Sequence, residues 1–518
     1  MGKNMSTKQK QFNNRIACIA IFAVYAVLTL IGALRHEIWF DEAQAWTIAR
    51  DNNIAGIFNQ LRYEGHPPLW YFILYVFSHL GFECSIMPLI SWLFTAIAAA
   101  VVMFKAPFST VTKSLLIFSG GFLFFNSVMS RTYCMINLFI VLIAVLFPKR
   151  KEHPIIFGTL VALLANTHIC VSGFIGAIGL IMLHDIYTEW KNNSAKKNTL
   201  NLTGLAIAGI GVLMLILPLI GALGSNSSTA DDEFTVKRAL ISFGDSFFNI
   251  SFSLLNGYLS NHYIFAGILA VAFVILIVLM RHKTRPILIL VLSVLFYIIT
   301  TEIFWITIPN RAHIFLFIYF AVMWIAENEP ENKASAIWQK FNPNVDTKLI
   351  KKLLDGIKSS DLNFSKSYRV LLSALLICSI PTGAAYLALD YTKPFSLGIA
   401  VSEFVTENIP EGSVIVYDID APAQIASYLP DYKFYSLEYQ DFYTYDPHKI
   451  IDEDQSRNGA YNDLKDYPNV YMMKIFPDAD AIESNRNIIY SVRECIPFGT
   501  NASYIEISTL DVEKELKQ

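Results

Sequence analysis

Long apolar runs recur along this 518-residue chain and constrain its fold more than any other feature. The runs at 205–223, 264–280 and 371–389 are each long enough to cross a hydrocarbon layer of about 30 Å as a helix. Hydrophobic residues form 54% of the chain and charged residues only 16%, and the mean hydropathy is +0.43. The sequence therefore predicts an α-helical polytopic membrane protein rather than a set of soluble domains.

The charges between the apolar runs predict how the chain threads through the membrane. Loops rich in Lys and Arg stay on the cytoplasmic side, and a cytoplasmic N-terminus puts the basic loops there when eleven spans are counted. Counting the segment 69–80 as a twelfth span would move the next three basic clusters to the outer side. The predicted spans are 16–34, 86–104, 114–130, 133–147, 154–170, 171–187, 201–221, 263–280, 286–304, 312–326 and 368–389.

The segment 69–80 is therefore predicted to be a helix in the membrane interface, within a first outer loop at 35–85. The proline pair at 67–68 suits a helix start, and about twelve residues is short for a crossing. The aromatic pair at 70–71 is typical of interfacial anchors. A short or tilted true span is the alternative.

Residues 390–518 differ from residues 1–389 in both charge and pattern. The tail holds 10 Lys and Arg against 23 Asp and Glu, whereas the preceding part holds 30 against 20. We expect 1–389 to form the membrane domain and 390–518 a small extracytoplasmic α/β domain. Helices are predicted at 397–409 and 423–428, and strands at 413–417, 433–437, 470–475, 487–492 and 504–507.

Other features of composition narrow the class further. The basic segment 328–367 is predicted to lie along the inner leaflet. The six cysteines show no metal spacing and mostly sit inside apolar runs, so a disulfide framework is not expected. An acidic tail on a basic membrane body indicates two compartments and gives no sign of nucleic-acid binding.

Polar residues at several span ends fall on one side under this threading. Arg131 and Tyr133 lie in the turn between the third and fourth spans. His168 ends the fifth span, and Arg311 and His313 lie between the ninth and tenth. Because their convergence was not used to choose the threading, it predicts a single site on the outer face.

The adjacent carboxylates Asp41 and Glu42 lie on the same side, a few residues beyond the first span. Ionisable groups beside apolar surroundings are costly, so their presence needs a reason. One reason is general-base catalysis by a carboxylate whose pKa partial burial has raised. A divalent-cation site built from oxygen ligands is a second, and an ordinary helix start favoured by the helix dipole is a third.

Further candidates are the residues that end the first outer loop and the outer cations. Glu64 and His66 could orient a substrate or an attacking group, and a structural role is the alternative. Arg131, Arg311 and His313 could bind a phosphate or snorkel toward the head groups. Anion binding beside a base is what displacement of a phosphate from a lipid carrier requires.

This pattern resembles the GT-C superfamily of polytopic membrane glycosyltransferases, which includes the protein O-mannosyltransferases (glycosyltransferase family 39) and the aminoarabinose transferases. The residues that carry the resemblance are the acidic pair at 41–42 and the segment HPPL at 66–69, which starts a juxtamembrane helix. The span layout and the outer tail extend the similarity loosely over nearly the whole chain.

The resemblance implies transfer, with inversion, of a sugar from a polyprenyl-phosphate carrier to an extracytoplasmic acceptor. Asp41 would be the catalytic base that takes the proton of the acceptor hydroxyl, and Glu42 would support it. The phosphate leaves without a general acid because Arg131 or Arg311 can hold its charge. The predicted substrate-binding residues are Glu64, His66, Arg131, Tyr133, His168, Arg311 and His313.

The chain departs from this superfamily at three points. His66 stands where many bacterial relatives carry Lys before the proline pair, so the donor head group could differ. No WWDYG-like motif is present, which argues against an oligosaccharyltransferase. The tail also lacks the large repeat domain of the eukaryotic protein mannosyltransferases.

A transporter or a flippase for lipid-linked sugars is the hypothesis from a different class. Transporters place ionisable residues near the membrane midplane and show inverted repeats, whereas here the charges cluster at outer span ends and no repeat is visible. A scaffold without activity is a third hypothesis, which the intact Asp41, Glu42 and His66 disfavour. We therefore expect a multi-pass enzyme of the bacterial plasma membrane.

Overall fold

The structure of the chain is a computed structural model. It describes residues 7–191, 195–223, 283–304, 309–329, 364–418, 422–447, 457–476, 487–493 and 504–516, with isolated positions between 271 and 280. The predicted span 263–280, apart from those positions, and most of the predicted inner segment 328–367 lie outside these residues.

The first three quarters of the described chain are helical. Five helical segments are long and apolar enough to span a membrane, and several shorter apolar helices pack among them. The chain is therefore an integral membrane protein. The helices are α1 (Thr7–Arg35), α2 (Phe40–Asp51), α3 (Ile54–Glu64), α4 (Leu69–His79), α5 (Met87–Lys105), α6 (Thr110–Ile117), α7 (Tyr133–Leu146), α8 (Pro154–Ala165), α9 (Ser172–Lys191), α10 (Ala195–Leu223), α11 (Thr284–Phe304), α12 (Pro309–Asn328) and α13 (Phe364–Thr392).

The predicted span 114–130 is wrong as a single helix. Helix α6 ends at Ile117, and a π-helical turn at Gly121–Phe125 and irregular turns follow it. This segment packs closely against α13, since a Cβ added at Gly383 would lie 2.3 Å from the Cα of Gly120. This irregular backbone is buried inside the protein, which is where such backbone is tolerated at membrane depth.

Three short helices, α2 to α4, form the segment 35–85, for which the name outer loop is kept from the predicted threading. Helix α3 begins at Asn53, whose side chain accepts from the N–H of Gly56 at 2.9 Å. It ends at Gly65, whose positive φ of 64° lets its N–H bond the carbonyl of Leu61. The proline pair then starts α4 as predicted, one residue shorter than the predicted segment.

The role predicted for the aromatic pair of α4 is wrong. Trp70 and Tyr71 are 2% and 4% exposed, so they are buried rather than placed at an open interface. Helix α4 packs against α2, and its first turn faces the interior of the outer loop. The position of α4 relative to the membrane stays a prediction.

The tail folds as the predicted small α/β unit around one six-stranded sheet. The strand order is β3-β2-β1-β4-β6-β5, with β1 parallel to β2 and β4 and the other pairs antiparallel. The strand β3 and the helix at Arg457–Leu464 were not predicted. The elements are α14 (Gly398–Asn408), β1 (Val414–Tyr417), α15 (Ala423–Ala426), β2 (Lys433–Ser436), β3 (Asp441–Phe442), α16 (Arg457–Leu464), β4 (Val470–Phe476), β5 (Ile488–Arg493), β6 (Tyr504–Thr509) and α17 (Val512–Glu515).

The tail contacts the first outer loop directly. Helix α15 packs on α2, and the Tyr428 hydroxyl accepts from the N–H of Ile38 at 3.3 Å. Arg50 in the last turn of α2 donates to the carbonyl of Ala426 at 3.0 Å. The membrane helices, the outer loop and the tail therefore meet around α2.

Candidate active site at the start of helix α2

The two adjacent carboxylates lie in the first turn of α2, where negative charge favours the helix dipole. Glu42 is the third residue of the helix and accepts from the N–H of Trp39, the residue before the helix, at 2.9 Å. This bond satisfies one of the unpaired donors of a helix start. Consecutive residues of a helix point about 100° apart, so Asp41 faces a different direction.

Asp41 forms an ion pair with Arg131 and keeps access to solvent. Its side chain is 28% exposed, and its Oδ2 lies 3.2 Å from Nη1 of Arg131. The same Nη1 donates to the backbone carbonyl of Asp41 at 2.7 Å. Arg131 comes from the irregular segment before α7 and is 9% exposed at its side chain, so it approaches Asp41 from the protein interior.

His66 lies on the other side of the Arg131 guanidinium. Its Nδ1 is 2.7 Å from the carbonyl oxygen of Glu64, and because a carbonyl only accepts, Nδ1 carries the proton. The Nε2 lone pair then faces Nη2 of Arg131 at 3.4 Å. This tautomer makes His66 a neutral acceptor beside the cation.

Two more predicted residues extend this group. The rings of His66 and His168 are 6.1 Å apart, and the rings of His168 and Tyr133 are 5.2 Å apart. His168 accepts at Nδ1 from the N–H of Cys170 at 3.2 Å, which fixes its ring. The structure thus brings Asp41, Arg131, His66, His168 and Tyr133 into one continuous group, and their roles stay predictions.

Tyr71 belongs to the same group, although its sequence position suggested an anchor. Burial raises the pKa of its hydroxyl well above the usual value, Glu64 raises it further, and Arg131 lowers it. These opposing effects show that Tyr71 lies within electrostatic range of both residues. Its hydroxyl stays protonated at neutral pH and can serve as a hydrogen-bond donor at the site.

Glu64 faces the tail rather than the exposed side of Asp41. It is buried, and its Oε1 accepts from Nε2 of Gln44 at 2.9 Å. The same Gln44 amide donates to the carbonyl of Asp446 at 2.8 Å and accepts from its N–H at 2.9 Å. Gln60 donates to that carbonyl as well, at 3.1 Å. The tail is therefore fastened to the outer loop three residues after Asp41.

Glu42 is fully enclosed, unlike Asp41. Its Oε1 accepts from the N–H of Ser130, and its Oε2 lies 3.1 Å from Nε2 of His36. The other nitrogen of His36 lies 3.2 Å from Oδ2 of Asp390, in the last turn of α13. Burial opposes a charge on this imidazole, but Glu42 and Asp390 outweigh it and raise the pKa of His36 to about 10. His36 is therefore an imidazolium between two carboxylates.

The acidic pair does not fit a divalent-cation site in this arrangement. Both oxygens of Glu42 already accept from N–H donors, and Arg131 neutralises Asp41. Within the described ranges, no group of three or more His, Cys, Asp or Glu side chains is close enough to hold a metal ion.

His313, a predicted substrate-binding residue, does not join the group. His313 is fully buried on α12, where its ring stacks on Phe125 at 4.8 Å and abuts Gly120. Neither ring nitrogen has a hydrogen-bond partner among the described residues. Gly120 lies against both the His313 ring and α13, so this ring is enclosed within the helix bundle. The side chain of Arg311 lies outside the described residues.

Sequence reasoning missed His36, Gln44 and Asp390. His36 directly follows the first span, and Asp390 is an acid at the end of the last apolar helix. Ionisable groups in such surroundings usually have a partner, and that rule could have singled out both. Nothing in the local sequence indicated Gln44, whose partner Asp446 is 402 positions away.

Two openings are lined by residues of α4 and α2, the helices that carry or adjoin the group. An apolar cleft of about 240 Å³ between α4, α8 and α10 begins at Pro68 and includes Leu69, Phe72 and Leu163. A cavity of about 1000 Å³ separates the outer loop from the tail, with Trp46 and Arg50 on one wall and Tyr432 on the other. The first is lined almost entirely by apolar side chains, and the second is open to solvent.

Comparison with known proteins identifies the fold. No protein-family model matches the sequence, and no curated protein matches it. Two crystal structures of ArnT from Cupriavidus metallidurans match nearly the whole chain. The apo form has a TM-score of 0.55 and 12% identity and covers 96% of this chain and 98% of that chain. The form bound to undecaprenyl phosphate has a TM-score of 0.52 and 11% identity and covers 95% and 98%.

At such low identity the likeness concerns the fold and not the residues of the site. It spans the membrane helices, the outer loop and the tail together, which agrees with the architecture expected from the sequence. ArnT is an aminoarabinose transferase of the GT-C class. The chain therefore has the same fold as ArnT.

Proposed function

We propose that this protein transfers a sugar from a polyprenyl-phosphate carrier to an acceptor outside the cytoplasm, with Asp41 as the general base. The observation that carries the proposal is the pairing of a solvent-accessible carboxylate with Arg131; an apolar cleft lined by Pro68, two positions after His66, adds to it. A base and an anion-binding group side by side are the two functions that such a transfer needs.

The chemistry follows from these two groups. The acceptor hydroxyl oxygen bonds to the anomeric carbon, and the bond from that carbon to the phosphate oxygen breaks. The hydroxyl proton passes to Asp41, and the phosphate departs with its charge. Attack opposite the leaving group inverts the anomeric centre, and one carboxylate suffices, in contrast to the pair used in glycoside hydrolysis.

Arg131 is proposed to hold the departing phosphate. Its Nη1 is committed to Asp41, whereas Nη2 makes a long contact of 3.4 Å with His66. A phosphate oxygen can replace that contact with a shorter, charge-assisted bond. The hydroxyl of Tyr71 is a second candidate donor to the same phosphate. His66, which is neutral, would orient the carrier head group in place of the lysine of bacterial relatives.

The two openings are proposed to receive the two substrates. The apolar cleft begins two residues after His66 and suits an isoprenoid chain that enters between helices. The larger cavity between loop and tail suits the acceptor, because it leads from solvent toward α2. ArnT was crystallised with undecaprenyl phosphate, which supports a carrier of this chemical class.

The transporter alternative is less well supported. The group around Asp41 lies at helix ends and in short outer helices, not near the middle of long spans. Transporters bind their substrates near the midplane. A flippase would also move a lipid-linked sugar without releasing the polyprenyl phosphate.

The test uses the full chain in lipid nanodiscs with a panel of radiolabelled polyprenyl-phosphate sugars and an envelope extract as acceptor. Transfer to the extract and release of polyprenyl phosphate are measured for the wild type, Asp41→Asn and, as a matched control, Asp466→Asn on the exposed tail surface. We expect Asp41→Asn to lose about 100-fold or more of the rate, and the control to keep it.

The outcomes separate two claims. Equal rates for the wild type and Asp41→Asn would contradict the base assignment. A wild type that releases no polyprenyl phosphate from any donor, but moves the labelled lipid across the bilayer, would contradict the transferase and favour the flippase.

A further inference from the structure

Three buried ionisable side chains form a line that the transfer chemistry does not use. His36, Glu42 and Asp390 each have side chains no more than 1% exposed. The two imidazole nitrogens of His36 lie 3.1 Å from Glu42 and 3.2 Å from Asp390. Two carboxylates that share one imidazole in the interior are costly unless the ring is a cation with two N–H donors.

Glu42 connects this line to both sides of the candidate active site. One of its oxygens accepts from the N–H of Ser130, which immediately precedes Arg131. The other accepts from the N–H of Trp39, two residues before Asp41. A single carboxylate therefore fixes the backbone on either side of the Asp41–Arg131 pair. A change in its orientation would move both partners of that pair.

His36 connects the same carboxylate to the last membrane helix. Asp390 lies in the final turn of α13, and the chain enters the tail at α14 a few residues later. The His36 ring packs against Phe395 at 4.7 Å and Phe124 at 6.2 Å, so it cannot move independently. The ionisable groups near the ring are Glu42, Asp390 and Glu37.

We propose that His36 is a positioning residue, which as an imidazolium clamped between Glu42 and Asp390 holds Asp41 and Arg131 in their reactive arrangement. This inference rests on the proposed function, since the arrangement it maintains is the one that carries the transfer. His36 touches no substrate itself, and its effect is transmitted through Glu42 and the Ser130 N–H. The clamp also ties the site to the end of α13 and hence to the tail.

Loss of the clamp should lower turnover more than donor binding. In His36→Gln the side chain carries no charge, so the two buried carboxylates lose their cation. We expect kcat to fall about tenfold or more with little change in KM for the lipid donor, because Arg131 remains available for the phosphate while its alignment with the base is lost. Because partial unfolding would also lower the apparent kcat at constant KM, the rate is expressed per folded protein, with the folded fraction measured by size-exclusion chromatography; an unchanged kcat per folded protein would contradict the clamp.

A milder variant tests the charge specifically. Asp390→Asn leaves Glu42 as the only carboxylate on the ring, so the pKa of His36 should fall from about 10. We expect the alkaline limb of the transfer rate to move to lower pH by about one unit or more. An unchanged pH profile and unchanged kcat in a folded Asp390→Asn would overturn the proposal.

A measurement without catalysis separates this inference from the proposed function. The pKa of His36 is raised in the folded state, so its stabilising effect is complete below its ordinary pKa of 6.5 and is lost as pH rises through about 10. The midpoint temperature of thermal unfolding should therefore fall from pH 7 to pH 10 more steeply in the wild type than in His36→Gln. Parallel pH curves would refute the clamp even if transfer is confirmed, and divergent curves would support it even if transfer fails.

Discussion

Asp41 and Glu42 are neighbours in the chain with opposite surroundings. Asp41 keeps 28% of its side chain exposed and pairs with one cation, Arg131. Glu42 is fully buried and accepts from His36 and from the N–H groups of Trp39 and Ser130. A rotation of about 100° between consecutive helix residues is enough to separate a solvent-facing carboxylate from an interior one.

The difference in exposure suits the two carboxylates, Asp41 and Glu42, to different roles. A general base must reach the proton that it removes, and of the pair only Asp41 keeps such access. An interior carboxylate with its oxygens occupied can hold backbone in place but has no lone pair directed at a substrate. Under the proposed function Asp41 is the reactive residue of the pair and Glu42 the structural one, and the predictions below test that division.

The largest expected effect on stability is that of Glu42→Gln. The amide keeps one oxygen but turns its NH₂ toward an N–H donor, and it leaves the His36 imidazolium with one carboxylate fewer. Breaking a buried pair in this way costs about 3–5 kcal/mol. The matched change Asp41→Asn should cost only about 1 kcal/mol, because that pair is partly solvated. Thermal unfolding of both variants in one detergent measures the difference, and equal shifts would erase the proposed division.

The next effect concerns the cation that faces Asp41. Arg131→Lys should reduce the transfer rate about tenfold, or about 1.4 kcal/mol in activation free energy. One ammonium cannot span the Asp41 carboxylate, its carbonyl and Nε2 of His66 as the guanidinium does. Steady-state kinetics of Arg62→Lys, an exposed arginine of the same loop, provide the control. Unaltered kinetics in Arg131→Lys would leave Asp41 without a necessary partner.

A smaller effect is expected where the tail is fastened beside the pair. Gln44→Leu removes both hydrogen bonds to the Asp446 backbone and one to Glu64. At about 1 kcal/mol per bond, the segment around residue 446 should exchange its amide hydrogens faster and transfer should slow several-fold. Gln60→Leu removes a single bond to the same carbonyl and should show a weaker version of both effects. If the two variants behave alike, the Gln44 amide is not the main fastening.

Much of the fold follows from patterns of short range. Long apolar runs predicted the membrane helices. Alternation of apolar and polar residues predicted the strands of the tail, because successive residues of a strand face opposite sides of the sheet. The prediction of one continuous span at 114–130 was wrong. Its apolar composition is typical of a span, but the composition does not reveal that Gly120 packs directly on α13. A backbone contact between distant segments leaves only two glycines as its trace in the sequence.

Some of the site could likewise be predicted from the sequence, and some could not. Arg131, His168 and His66 could be placed on one side because loop charge set the threading, and the structure brings them together around Asp41. The partnership of His36 with Asp390 spans 354 positions. No periodicity or charge rule specifies which two ionisable residues meet across a bundle. The same limit applies to His313, which shares the outer end of a span but faces the packed interior.

Glu37 provides a third carboxylate environment, in which burial outweighs the neighbouring cation. Burial raises its pKa to about 7, although His36 opposes this, and its Oε2 has no hydrogen-bond partner among the described residues. A raised folded-state pKa means that stability present below its ordinary pKa of 4.5 is lost as pH rises through about 7. Glu37→Gln should therefore raise the thermal midpoint at pH 8 and change it little at pH 5. The exposed Glu83→Gln should do neither, and a stabilisation by Glu37→Gln that is equal at both pH values would point to packing rather than charge.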